Sequence, residues 1–349
     1  MTKNRQLTHL SCAEAFATRT SKLCARLFVS KLIFKNFNVM CQFLGNSVKS
    51  YKIFRMIKFK YFNVICHKMD NYFKNVKNMV TKIEALYRAL LPSKVVDFND
   101  IMKEASNIIK AAPNRRYIYR KYVNRMIKRG QLQRIRKGLY IILSPLEKPE
   151  RHVADKLLVA SKIRDEYYLG FHTALEYYGC ASSFYNEAYI CVNAKNRFDP
   201  FQYKHFSFKP VFVEDVTSEV EEKRHQGTII KVSSKERSFI ECIDKVRYAG
   251  GWEECIKSLE GLGGLNIKKL LNLLYKYKKD ILFRRIGYFL ELLRKRSQFY
   301  EDANDRLLSE IESQITGPPR YLIYGEKGLV NRRWKLYIPK GFEEKLRDI

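Results

Sequence analysis

From Ala105 to Leu146 the chain carries no acidic residue, and inside that window its apolar pattern changes period once. Up to Lys128, the residues Ile118, Tyr122, Val123, Met126 and Ile127 recur at helical spacing. Beyond Gly130 the chain alternates through Leu132, Arg134 and Arg136 to a Lys137-Gly138 turn, then back through Tyr140 and Ile142. A helical period, a glycine and then a two-residue period predict a helix, a glycine stop and a β-hairpin. Eleven basic residues stand between these apolar positions, from Lys110 and Arg115 to Arg136 and Lys137. With no acid nearby to neutralise it, such a surface suits a polyanion such as a phosphate backbone.

Asn114 is placed to cap the helix. At roughly 100° per residue the side opposite the apolar stripe carries Tyr117, Arg120, Lys121, Asn124 and Lys128. These are residue types that read base edges and hold phosphates. With Arg115 and Arg116 at the helix start and Arg134, Arg136 and Lys137 on the hairpin, they form the expected DNA-binding set. Two shorter helices precede it. One spans 80–91, with Ile83, Leu86, Leu90 and Leu91 inward, and stops at Pro92; the other spans 97–105, with Phe98, Ile101 and Met102 inward. Three helices and a basic hairpin predict a winged helix-turn-helix over residues 79–144. The plainer alternative is a solvated basic face that touches nothing.

The whole chain has 349 residues, room for two or three domains, and a formal charge of +30. Its 46% hydrophobic and 29% charged residues describe an ordinary folded protein rather than a disordered one. Residues 1–78 hold fifteen Lys/Arg against only Glu14 and Asp70, with no sustained periodicity. They read as a basic arm, as a transit segment, or, the favoured reading, as an upstream extension ahead of a start at Met69 or Met79. Residues 79–349 alone keep 51 basic and 34 acidic residues, so the basic balance survives without the extension.

The eight cysteines (12, 24, 41, 66, 180, 191, 242 and 255) form no CxxC pair or zinc spacing and read as reduced core residues. The most apolar run, Leu27 to Phe37, is cut by Lys31 and Lys35, so no membrane span is expected. No signal-peptide pattern is present, and the expected location is cytoplasmic.

A proline-bearing linker, 143–150, leads to a second domain over 150–349. Helices are expected at 151–168, 168–179, 235–247, 252–260, 266–278, 281–296 and 299–315. Strands are expected at 187–193 and 227–233, near 204–213, and in a closing hairpin made by 320–324 and 335–338. The predicted fold class is therefore α+β, a winged helix-turn-helix followed by a larger mixed α/β domain with a helical C-terminal half.

The order RIRKGLYII, LGFHTALEYYG, KERSFIECIDKVRYAGG and FRRIGYFLELL resembles the AbiEi family, from about Met79 to Leu293. These are antitoxin and transcriptional-regulator components of two-gene abortive-infection, or type IV toxin–antitoxin, systems. The resemblance implies a winged helix that binds inverted repeats in double-stranded DNA of its own promoter and represses it. It also implies a carboxy-terminal antitoxin domain that counters a nucleotidyltransferase-type toxin without a tight complex, and no catalysis or cofactor. Family-matching positions are Glu236, Arg237, Asp244, Gly250 and Gly251, and Arg285, Gly287 and Glu291. Taken without the family, Arg237 and Asp244 suggest structural ion pairs, Gly250-Gly251 a turn, and Gly287 close packing against another helix.

Other chemistries have weaker patterns. Asp215 with Glu221 and Lys223 loosely matches a magnesium-dependent nuclease, but no strand is evident to carry Glu221 and Lys223. Residues 260–266, EGLGGLN, lack phosphate-loop spacing and read as an interhelical turn. His152, His172, His205 and His225 show no paired-ligand spacing, so no metal is expected. A nuclease targeted by the winged helix and an RNA-binding module remain the alternatives.

Overall fold

The computed structural model describes residues 67–68, 71–72, 74–75, 79, 81–109 and 114–347. The basic segment expected over 1–78 therefore lies almost wholly outside the described residues, as do Lys110 and Pro113. Met79–Ile349 forms one compact unit, a mixed α/β structure with three sheets among the described residues.

The unit opens with a helix over 81–90 (α1), which ends in a 3-10 turn, Leu91–Ser93, containing Pro92. β1 (Val95–Asp97) follows, and Asp97 caps α2 (Phe98–Ile108) in a capping box with Asp100. The helix thus starts one residue later than expected and runs three residues further. The next helix, α3, is Arg115–Ile118 in α geometry, Tyr119–Val123 as a π turn and Asn124–Lys128 in α geometry again. Asn114 caps it by accepting from the Arg116 N–H, 2.8 Å. Gly130, at φ +69°, closes it: the Gly130 N–H donates to Ile127 and the Gln131 N–H to Met126, a Schellman pair.

β2 (Leu132–Arg136) and β3 (Leu139–Ile142) then form the hairpin around Lys137-Gly138. β3 pairs with β2 on one edge and β1 on the other, giving the sheet order β1-β3-β2. Because side chains alternate along a strand, β3 faces two cores. Tyr140 and Ile142 pack with α1, α2 and α3, while Leu139 and Ile141 pack with the next part of the chain. β1 divides likewise, Val96 to the first core and Val95 to the second. Residues 143–150, expected as a plain linker, begin with a fully buried Leu143, whose carbonyl accepts from the Tyr87 hydroxyl.

The expected helix over 151–168 is only α4 (Lys156–Ser161), capped by Asp155, and Tyr168–Leu169 is instead a short strand, β4. α5 (Phe171–Tyr178) follows and ends at left-handed Gly179. The strands β5 (Glu187–Val192), β6 (Phe201–Tyr203), β7 (Phe206–Phe212), β8 (Val220–His225) and β9 (Thr228–Ser233) complete a six-stranded mixed sheet. Its order is β6-β7-β5-β4-β9-β8, with β5/β7 and β4/β9 parallel.

From Lys235 onward the chain is mostly helical: α6 (Lys235–Asp244), α7 (Trp252–Glu260), α8 (Ile267–Tyr277), α9 (Asp280–Arg294) and α10 (Asp305–Ser313). The helix expected from residue 299 starts at 305 because Asn304 caps it there. The closing hairpin differs from expectation as well. β11 (Gly328–Asn331) pairs antiparallel with β12 (Leu336–Pro339), while β10 (Arg320–Tyr321) lies parallel to β12, and a last helix, α11 (Phe342–Arg347), follows.

Candidate nucleic-acid interface

α3 is held by a buried stripe of Ile118, Tyr122, Val123 and Met126, with Ile127 packed at its margin. Opposite that stripe, Tyr117, Arg120, Lys121 and Lys128 are exposed and Asn124 is half-buried. Arg116 and Tyr119 join the exposed side, Tyr119 without any sequence signal to single it out. The π turn adds one residue to a turn of helix, so Arg120 and Lys121 sit where the phase of the face shifts. Tyr117 packs edge-on to Tyr122, with ring centroids 6.0 Å apart. Burial, with Tyr117 adding to it, pushes the Tyr122 hydroxyl up to about 12, so it stays a neutral donor at ordinary pH.

Of the Lys and Arg residues from Arg115 to Lys137, none makes an ion pair with a carboxylate among the described residues. Arg115 donates instead to the Asn99 side chain, 3.0 Å, and stacks over Phe98. Several basic side chains elsewhere are paired, as in Lys162–Asp100 at 2.8 Å and Arg284–Asp280 at 2.7 Å.

The hairpin does not present all its cations to one side. β2 is bulged between Arg134 and Arg136, so two residues that simple alternation puts together point apart. Arg134 stays exposed near the Tyr140 hydroxyl, alongside Tyr119 of α3. Arg136 turns the other way and lies over the Phe201 ring of β6, 4.7 Å from its centroid. Lys137 remains exposed at the tip. Arg136, one of the expected set, therefore lies off the face shared by α3 and Arg134.

The family-matching residues are mostly internal supports. Glu236 is buried and accepts the Asn266 N–H at 2.6 Å, fixing the start of α8. Arg237, also buried, donates to Glu241 at 2.8 Å, to the Tyr168 hydroxyl at 2.7 Å and to the Asp215 carbonyl at 2.7 Å. Its carboxylate partner is thus Glu241, one turn along, while Asp244 meets Lys279 at 3.4 Å. Gly250 and Gly251 both have positive φ, and a Cβ on Gly250 would meet the Tyr185 hydroxyl at 2.5 Å. Arg285 donates to the carbonyls of Leu322 and Asp244. Gly287 packs against Trp334, not against a helix: a Cβ there would sit 2.0 Å from the indole. Glu291 accepts from Arg333 at 2.9 Å and from the Trp334 indole N–H at 2.6 Å.

The nuclease pattern is only half assembled. β8 does carry Glu221 and Lys223, contrary to expectation, but they pair with each other at 2.6 Å. Asp215 instead binds Lys276 at 2.7 Å and the N–H groups of Thr217 and Ser218. Burial pushes the Asp215 carboxyl up, and the Lys276 ammonium and those donors outweigh it, holding it well below the usual carboxylate range. No group of three or more His, Cys, Asp or Glu among the described residues is arranged to hold a metal. His172 is enclosed between Glu176, 3.3 Å, and Glu254, 3.1 Å, and stacks on Tyr185, which is a structural setting. Cys191, Cys242 and Cys255 are free and buried, Cys180 free and half-buried, and Cys12, Cys24, Cys41 and Cys66 lie outside the described residues. No helix among the described residues is long and apolar enough to cross a membrane.

No protein-family model matches the chain, and no curated protein sequence matches it. Among solved structures it is similar to the RV2827C protein from Mycobacterium tuberculosis, with a TM-score of 0.53 and 12% identity. The likeness covers 77% of this chain and 94% of that one, and at this identity it is a likeness of fold.

Proposed function

We propose that residues 79–144 work as a winged helix-turn-helix that binds double-stranded DNA, with α3 in the major groove and the β2–β3 hairpin as the wing. The observation that carries this reading is the unpaired basic surface from Arg115 to Lys137, where no carboxylate competes with phosphate for the side chains. Tyr117, Arg120, Lys121, Asn124 and Lys128 form the reading face, with Arg115, Arg116, Arg134 and Lys137 on the flanking backbone. Together with the AbiEi resemblance, this supports the reading of the protein as a non-catalytic autorepressor and antitoxin of a two-gene system. Its functional partner is a nucleotidyltransferase-type toxin that it counters without a tight complex. The Glu236–Glu291 positions then serve the antitoxin domain by fixing its helices, not by chemistry.

A mobility shift with the DNA upstream of the gene tests the interface. Arg120→Ala with Lys121→Ala should abolish the shifted band while leaving the melting temperature unchanged, because both side chains are exposed. Each lost phosphate contact should also flatten the dependence of log K on log salt by about 0.9. Wild-type-like binding by the double variant would remove α3 from the interface.

A further inference from the structure

The bulge that turns Arg136 away from α3 delivers it to a second basic site. Its guanidinium shares a groove of about 820 Å³ with those of Arg164 and Arg197 and the Lys209 ammonium. Asp199 is the one carboxylate in that lining. Lys209 is already engaged by Glu187. Arg164 donates to the carbonyls of Ile163 at 2.7 Å, Asn196 at 2.9 Å and Arg197 at 2.8 Å, so its charge is positioned but not neutralised. Neither Arg136 nor Arg164 makes an ion pair among the described residues. Burial lowers the Arg136 pKa, and the Arg164 charge beside it lowers it further, as two like charges facing one space require. The same two arginines also line an adjoining groove of about 530 Å³ together with Lys137, Lys162 and Lys195 and the acids Asp97, Asp165 and Glu166.

The walls supply the second half of the argument. Phe212 projects into the 820 Å³ groove with 54% of its surface exposed, between Tyr189, Tyr248 and two prolines. An exposed aromatic face such as that of Phe212, beside unpaired guanidiniums, is the combination that holds an unstacked base and its phosphate. A paired base inside a duplex offers no free face to such a wall. A volume of this size also falls in the range that encloses a small ligand.

We propose that this groove binds a phosphorylated nucleoside with an unpaired base, with Arg136, Arg164 and Arg197 on phosphate and Phe212 against the base. Such a nucleoside could be a free nucleotide or one unit of a single strand. The site is separate from the α3 face and does not depend on the reading of that face as a duplex-binding surface.

The test uses the full chain and fluorescence anisotropy with a short labelled oligouridylate, with ATP and unlabelled duplex DNA as competitors. The Arg136→Glu, Arg197→Glu double variant should weaken oligouridylate binding at least about tenfold, since each lost phosphate contact weakens binding. Phe212→Ala, which leaves the cations in place, should weaken it as well. Arg120→Ala with Lys121→Ala should leave it unchanged, which distinguishes failure of this site from failure of the duplex interface. Displacement by millimolar ATP would identify a free nucleotide as the source of the phosphate, and displacement by oligomers alone would identify a strand. The proposal is overturned if the wild-type chain binds neither oligouridylate nor ATP. It is equally overturned if the groove variants bind like wild type, or if duplex DNA displaces the probe as well as the single strand does. Melting curves confirm that each variant is folded.

Discussion

At Gly287 the helix α9 has room for a hydrogen atom and nothing larger, because the six-membered ring of Trp334 occupies the space of a Cβ. One turn on, Glu291 takes the indole N–H of that same Trp334, and two residues back, Arg285 holds the Leu322 carbonyl. These three positions therefore act together, clamping the C-terminal sheet onto α9. Gly287→Ala should destabilise the protein by about 1–3 kcal/mol through overpacking. That would lower the melting temperature by about 2–4 °C for each kcal/mol in a chain of this size. Adding Trp334→Phe should recover part of the loss, and additive losses in the double variant would show that the two residues do not share this space. A glycine inside a helical pattern was legible as a close approach, but the partner was not. Trp334 lies far along the chain, and nothing local to Gly287 distinguishes an indole from a helix.

At the scale of single elements, period and punctuation explain what the sequence revealed. α1, α3 and the hairpin lie where apolar spacing, Pro92, Asn114, Gly130 and Lys137-Gly138 place them, and α2 overruns its expected end by three residues. Two local departures were hidden. The π turn at Tyr119–Val123 keeps both neighbouring helical stretches in register with the core and leaves no mark in residue types. The β2 bulge is equally silent, since Arg134, Ile135 and Arg136 read as plain alternation. β4 and β8 were hidden for another reason: one has two residues, and the other is too polar to stand out by hydropathy. The bulge makes a direct prediction about the hairpin. Arg134→Ala should weaken duplex binding in a mobility shift, by about 1 kcal/mol or less for one exposed phosphate contact, while Arg136→Ala should leave it unchanged. Equal losses in the two variants would mean that the hairpin presents both arginines to DNA, as unbroken alternation would have it.

At the scale of the molecule, β1 and β3 set how the basic region relates to the rest of the chain. A winged helix tethered by a proline-bearing linker would be free to unfold by itself. Here each of the two strands sends alternate side chains into separate cores, Val96, Tyr140 and Ile142 to one side and Val95, Leu139 and Ile141 to the other. Neither core can lose its sheet layer without exposing the other. Lys162–Asp100 and the Lys94–Gln226 hydrogen bond add polar ties across the same boundary. Residues 79–349 should therefore unfold in one calorimetric transition, with the ratio of calorimetric to van't Hoff enthalpy near unity. Ile141 is fully buried, and Ile141→Ala should remove about 2–5 kcal/mol. If the boundary is shared, that loss shifts the single transition as a whole. If the linker reading is correct, the trace instead splits in two and the α3 region melts apart from the six-stranded sheet. A shared strand also fixes the spacing between the α3 face and the Arg136–Arg164 groove, because the hairpin that carries Arg134 toward one carries Arg136 into the other.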